Sequence, residues 1–117
     1  NKLVDVLLQV HVAQEETKFG FTPDELLQFV ESGVINELTN VRVVGVMGMA
    51  TNTDDVNRIT EDFKAINQTF QNARALLKEN KDFAQISMGM SDDYQLAIEN
   101  GSTMVRIGST IFGYRQY

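Results

Sequence analysis

Cysteine is absent from this 117-residue chain, histidine occurs once, and basic residues are outnumbered. Without cysteine there are no disulfides, no thiolate metal ligands and no cysteine nucleophile, a composition compatible with a cytoplasmic protein. The lone histidine, His11, has no second histidine or cysteine beside which to hold a metal, and the carboxylates lack ligand spacing, so no metal site is expected. No apolar run approaches the roughly 18 residues that span a bilayer, and no signal peptide is visible. Lys and Arg number 10 against 16 Asp and Glu, a formal net charge of −6. That balance argues against nucleic acid as a partner, since phosphates are neutralised by clustered cations, and lends no support to an anionic membrane. A single buried arginine could still form a local basic site. There is no Walker motif, no nucleophile elbow and no Rossmann glycine pattern. The chain opens on Asn1 directly before a strand, which reads as a processed or excised piece.

What is present is an alternation of strand and helix patterns. Lys2 to Val12 places Asp5, Gln9 and His11 on one face and Val4, Val6, Leu8 and Val10 on the other, the period of a strand. After a polar loop containing Lys18, Thr22-Pro23-Asp24-Glu25 begins a helix: Thr22 as N-cap, Pro23 at the first helical position, acids in the first turn. Leu26, Leu27, Val30 and Val34 carry it to about Leu38. Val41 to Ala50 is a nearly continuous apolar run, expected for a strand buried on both faces of a parallel sheet. The longest helix spans roughly Thr53 to Asn80, with Val56, Ile59, Phe63, Ile66, Phe70, Ala73 and Leu77 in a narrow stripe. A coiled coil would show the same spacing. Ala84 to Met90 reads as the third strand, Asp92 to Glu99 as a short helix ended by Asn100-Gly101, and Thr103 to Ile107 as the fourth strand before a terminal turn.

Strands alternating with helices imply an α/β fold with a parallel sheet and right-handed crossovers. Four such units are half of a (βα)8 TIM barrel, which typically needs about 250 residues. A free four-stranded sheet would leave two open edges, so a missing N-terminal half or a second copy of the chain is expected to cover them. Residues 1–117 read as a single domain of this kind.

The last third is where chemistry concentrates. Two adjacent strand ends open into Ser91 and into Gly108-Ser109, where free N–H groups, hydroxyls and a helix N-terminus could hold an anion such as phosphate. Ser91 serves equally as N-cap of the Asp92–Glu99 helix, and Asp92 and Asp93 would repel an anion unless they face away. Arg106 shares a strand face with Met104 and Gly108 and points into the barrel if Val105 and Ile107 pack on helices. A buried guanidinium stays protonated and needs a partner: a ring nitrogen or phosphate, or a neighbouring carboxylate such as Asp5. His11 reads as a hydrogen-bonded structural residue or an acid–base group. Lys18 reads as a surface lysine or an anion contact. Met47, Met49, Met88 and Met90 gather at two strand ends, as core filling or as a floor under a cofactor.

Ser87-Met-Gly-Met-Ser-Asp-Asp93 and Ala97-Ile-Glu-Asn-Gly-Ser-Thr-Met-Val-Arg-Ile-Gly-Ser-Thr-Ile-Phe-Gly-Tyr-Arg115 closely resemble the C-terminal signature of the pyridoxal phosphate homeostasis protein family, single-domain relatives of the alanine racemase barrel. Leu7-Leu-Gln-Val-His11 with Lys18-Phe-Gly-Phe21 resembles the family's fifth strand and loop, and Val43-Val-Gly-Val-Met-Gly-Met49 its sixth. The resemblance therefore covers the chain as strands five to eight. It implies a barrel that holds pyridoxal 5′-phosphate (PLP) as a Schiff base, with Arg106 near the pyridine nitrogen and Ser91, Gly108 and Ser109 around the phosphate. Ser87 also matches, and Met90 joins the expected cofactor contacts. Ser109 stands where the family commonly has Thr, which keeps the hydroxyl. The family's Schiff-base lysine belongs to the first strand, in the half that would precede Asn1, and Lys18 does not align with it.

The function so implied is that of a non-catalytic PLP carrier in vitamin B6 homeostasis, with no catalytic residue in this chain. The alternatives are a racemase-like PLP enzyme and an excised half-barrel without independent activity.

Overall fold

A computed structural model describes residues 4–12, 20–51, 53–78, 80–90 and 93–106, with Arg106 described by its backbone. Four strands, β1 (Val4–Gln9), β2 (Val41–Met47), β3 (Gln85–Met90) and β4 (Met104–Arg106), form one all-parallel sheet in the order β1-β2-β3-β4. Helices α1 (Pro23–Glu31), α2 (Val34–Glu37), α3 (Val56–Leu76) and α4 (Tyr94–Glu99) fill the connections. Sequential parallel strands joined through helices are the arrangement of a half-barrel.

Local chemistry sets the element ends. At α1 the Glu25 N–H donates to Thr22 Oγ1 (3.2 Å) while the Thr22 N–H donates to Glu25 Oε1 (2.9 Å), a reciprocal capping box. The single helix expected to reach Leu38 is broken instead, because Gly33 adopts a left-handed conformation (φ 81°) that ends α1 and starts the short α2. The long helix begins later than expected, at Val56, where Asp55 Oδ1 accepts the N–H groups of Asn57 and Arg58, and ends earlier, at Leu76. β1 and β2 likewise end sooner than their apolar runs. Beyond β1, Val10 makes an isolated bridge to Phe21 and donates its N–H to the Met47 carbonyl, and β2 gives way after Met47 to a loop.

The core lies between the sheet and α1 and α3. Ile59, Phe63, Ile66, Phe70 and Ala73 are buried against Val43, Val46, Ile86 and Met88, with Leu26 and Val30 of α1 alongside. Phe70 stacks on Phe83 at a centroid distance of 5.1 Å. The stripe of α3 is thus occupied by the chain's own sheet, which disposes of the coiled-coil alternative. It is also displaced and wider than the sequence suggests: Val56 is exposed, whereas Asp62 and Thr69 are buried. In β1, Val6 and Leu8 pack on the core while Val4 is exposed, and Val10, just beyond the strand, is buried.

Candidate functional site

All four strands run the same way, so their C-terminal ends share one rim. At one side of it, Met90 pairs with Arg106, joining the ends of β3 and β4. The chain therefore leaves these two neighbouring strands at Met90 toward Ser91 and at Arg106 toward Gly108 and Ser109. Ser91, Gly108, Ser109 and the Arg106 side chain lie outside the described residues, as do Lys18 and the terminal turn.

β3 reaches this rim through an irregularity. Its register with β4 shifts between Ser87, paired with Met104, and Met90. Met88 is buried in the core, and a Cβ on Gly89 would also point to the helix layer, 2.6 Å from Ala97 Cβ of α4. Two successive positions therefore face the helices, and Met90 returns to the side of Ser87. Only glycine suits position 89, for its φ is +102° and α4 leaves no room for a methyl group. Ser87 is buried and Met90 half exposed.

The turn after β3 corrects the expected cap. Asp93 Oδ1 accepts the Met90 N–H at 2.7 Å, and the Asp93 N–H donates to the Met90 carbonyl at 3.1 Å. This closed turn makes Asp93, rather than Ser91, the residue preceding the helix, and α4 starts only at Tyr94. The Asp93 carboxylate is tied back to the strand through Oδ1, while Asp92 lies outside the described residues. The turn also occupies the Met90 N–H, leaving that residue its side chain for any ligand contact. A helix of six residues adds little dipole, so an anion here would rest on strand-end backbone and hydroxyls.

Two residues that sequence reasoning passed over join β4 to β3. Ser102 Oγ lies 2.8 Å from the Met88 carbonyl, 2.7 Å from that of Met104 and 3.2 Å from that of Ile86, so its single proton serves one of them at a time. Thr103 Oγ1 accepts the Ile86 N–H at 2.8 Å and lies 2.8 Å from Gln85 Oε1. The visible signal was a Ser-Thr pair between Gly101 and a very short strand.

At the other side of the rim, His11 is half-buried just beyond β1, its N–H donating to the Phe21 carbonyl. Nearby, Asp62 of α3 is buried with its carboxylate fully engaged. Oδ2 accepts the Thr51 N–H (2.7 Å) and hydroxyl (2.6 Å), and Oδ1 lies 2.6 Å from Arg58 Nη2. Arg58 Nη2 also donates to the Val12 carbonyl at 3.2 Å.

Asp5, weighed above as a partner for Arg106, has its carboxylate engaged elsewhere. It faces Arg42, its register partner across β1 and β2, in a two-point pair (Nε–Oδ1 2.7 Å, Nη2–Oδ2 3.0 Å) at the opposite end of the sheet. The Arg42 hydrogen bonds hold the Asp5 carboxyl below its ordinary value of 3.8. The described lysines, Lys64, Lys78 and Lys81, are exposed on α3 or in the turns after it, so none stands at the strand ends. Among the described residues, no three His, Asp or Glu are grouped to hold a metal, and no helix is long and apolar enough to cross a membrane.

A parallel half-barrel with paired serine- and glycine-bearing strand ends is a recognisable class. The chain belongs to the family described as the alanine racemase N-terminal domain, which it matches over residues 1–116. Among curated relatives it is 36% identical over 114 residues to the pyridoxal phosphate homeostasis protein of Haemophilus influenzae, covering 97% of this chain and 47% of that protein. It is 37% identical over 113 residues to the human protein of the same name, covering 96% and 41%. The chain thus spans about half the length of the curated relatives it matches. Its fold is similar to that of an unknown protein from Bifidobacterium adolescentis (TM-score 0.83, 32% identity, 95% of this chain and 44% of that one). It is also similar in fold to Synechococcus elongatus PipY solved with PLP bound (TM-score 0.72, 24% identity, 96% and 50%).

Proposed function

We propose that this chain is the C-terminal half of a PLP-binding barrel domain whose role is to hold the cofactor rather than to catalyse. In this reading Ser91, Gly108 and Ser109 surround the phosphate, Arg106 faces the pyridine nitrogen, and Ser87 and Met90 line the wall. The observation that carries it is the Met90–Arg106 pairing, which joins the two strand ends from which these residues continue. The donor set fits the phosphate and ring end of the group: hydroxyls, glycine backbone and one guanidinium, with the Asp93 carboxylate tied back to Met90. It does not fit the aldehyde end, for which no described lysine is at hand. In this reading the other half of the barrel supplies the amine and covers the open edges of β1 and β4.

When bound, PLP supplies an electrophilic aldehyde and an electron-withdrawing ring. Arg106 does not readily release a proton, so beside the ring nitrogen it leaves that nitrogen unprotonated and the ring a weaker electron sink. That restraint suits a carrier. The relatives' naming as homeostasis proteins supports the same reading. In the whole protein, Arg106→Ala is expected to shift the absorbance of bound PLP and speed its loss. Unchanged spectrum and retention would remove Arg106 from the site, and amino-acid racemisation by the loaded protein would overturn the carrier role.

A further inference from the structure

The pair Arg58–Asp62 has no part in the reading above, yet Asp62 is the most completely buried charged residue among those described, and Arg58 is half-buried beside it. Asp62 is 1% exposed and lies on α3 beside Phe63, where an apolar residue would extend the core. A carboxylate in such a place needs every oxygen satisfied. It receives the Thr51 N–H and hydroxyl on one oxygen and Arg58 on the other. Arg58 in turn reaches the Val12 carbonyl beyond the end of β1.

Three segments meet in these bonds: the end of β1, the loop after β2, and the first turns of α3. Packing alone does not require them, since a buried ion pair holds a helix to a sheet no better than apolar residues of similar volume. Nor is the pair arranged for greatest stability, because Arg58 Nε is buried without a hydrogen-bond partner. What directional bonds to backbone N–H and C=O provide, and apolar contacts do not, is a set position for the two chain segments. Both segments lie on the rim that carries Met90 and Arg106.

We propose that Arg58 and Asp62 are positioning residues of the site: they hold Val12 and Thr51 so that the ends of β1 and β2 complete the rim that continues from β3 and β4. The inference rests on the PLP-binding reading for its ligand, but its geometry can be tested separately. In Asp62→Asn the side chain keeps its shape, yet it has one acceptor oxygen and presents an NH2 group to donors. Phe63→Leu is the control, a loss of core packing one residue away that leaves the bonds intact.

The test uses the whole protein at a temperature where all variants are folded. Asp62→Asn is expected to release PLP roughly tenfold faster, the scale of a disturbed supporting residue, with an altered visible circular dichroism band. Its Thr51 amide should also exchange hydrogen at least about tenfold faster in the cofactor-free protein, while Phe63→Leu leaves all three near wild type. If Asp62→Asn does not fold, Thr51→Val, which removes one of the three donors, is expected to move the same readouts in the same direction. Equal effects from Phe63→Leu, or a Thr51 amide unchanged in Asp62→Asn, would overturn the proposal. A wild-type protein that takes up no PLP would sink the carrier reading instead, and Thr51 exchange would still decide whether the pair sets the backbone.

Discussion

Where β1 and β2 end, the backbone is held by a network around one buried carboxylate; β3 and β4 are held by hydroxyls at the start of β4 and by a carboxylate turn and a glycine at the end of β3. Asp62 gathers Thr51 and Arg58 into one network, and Arg58 extends it to Val12. On the other pair of strands, Ser102 and Thr103, just before β4, make neutral hydrogen bonds to β3, and at the rim Asp93 closes the turn at Met90. A network centred on one buried carboxylate is all-or-none, because removing a partner strands a charge. Separate hydroxyl bonds fail one at a time, each a modest loss. At the end of β3 the Asp93 carboxylate is engaged with backbone through Oδ1.

The largest effect is expected on the charged side. Arg58→Met leaves Asp62 buried without its cation and should cost about 3 kcal/mol, whereas Arg58→Met with Asp62→Leu should recover most of that loss. Denaturant unfolding of the two single variants and the double gives the coupling directly, and a strictly additive result would remove the contrast between the two sides. Next comes Gly89→Ala, which adds a left-handed backbone penalty to a methyl group 2.6 Å from Ala97 Cβ. A loss of about 2 kcal/mol is expected from strain and overpacking together, read from the same unfolding curves.

Ser102→Ala should cost about 1 kcal/mol, the scale of one net hydrogen bond. Faster amide exchange of Met88, whose N–H lies 3.4 Å from Ser102 Oγ, would accompany it, with Thr51 unaffected. The smallest effect belongs to the exposed Asp5–Arg42 pair. Because Arg42 lowers the folded-state value of Asp5, the contribution is fully present above the ordinary carboxylate value of 3.8 and disappears as pH falls through the lower folded one. Wild type and Asp5→Asn should therefore differ slightly at neutral pH and converge in acid, as thermal melts across that range would record.

Most of the fold was legible because it rests on local patterns. Thr22-Pro23 announced its helix through capping chemistry, Ile59 to Ala73 announced theirs through periodicity, and the alternation of strand and helix patterns implied a parallel sheet. The exact ends were not legible. The helix read as running through Gly33 is broken there, and Ser91, read as the cap, gives way to Asp93, which is bonded to Met90. At the candidate site, the residue types at the ends of β3 and β4 could be read from sequence, but the Met90–Arg106 register that joins them could not.

The sequence by itself determined the α/β alternation, the helix that covers the sheet, and which residue types lie at the strand ends, since each depends on neighbours within a few positions. Only the tertiary structure decided that Asp5 belongs to Arg42, that Ser102 and Thr103 bind β3, and that Asp62 turns inward to Thr51 and Arg58. Each is a polar group whose partner lies far along the chain or in another element. A carboxylate on a helix reads as a solvent contact from its own neighbours alone. Its burial becomes tolerable only once the fold brings donors to it.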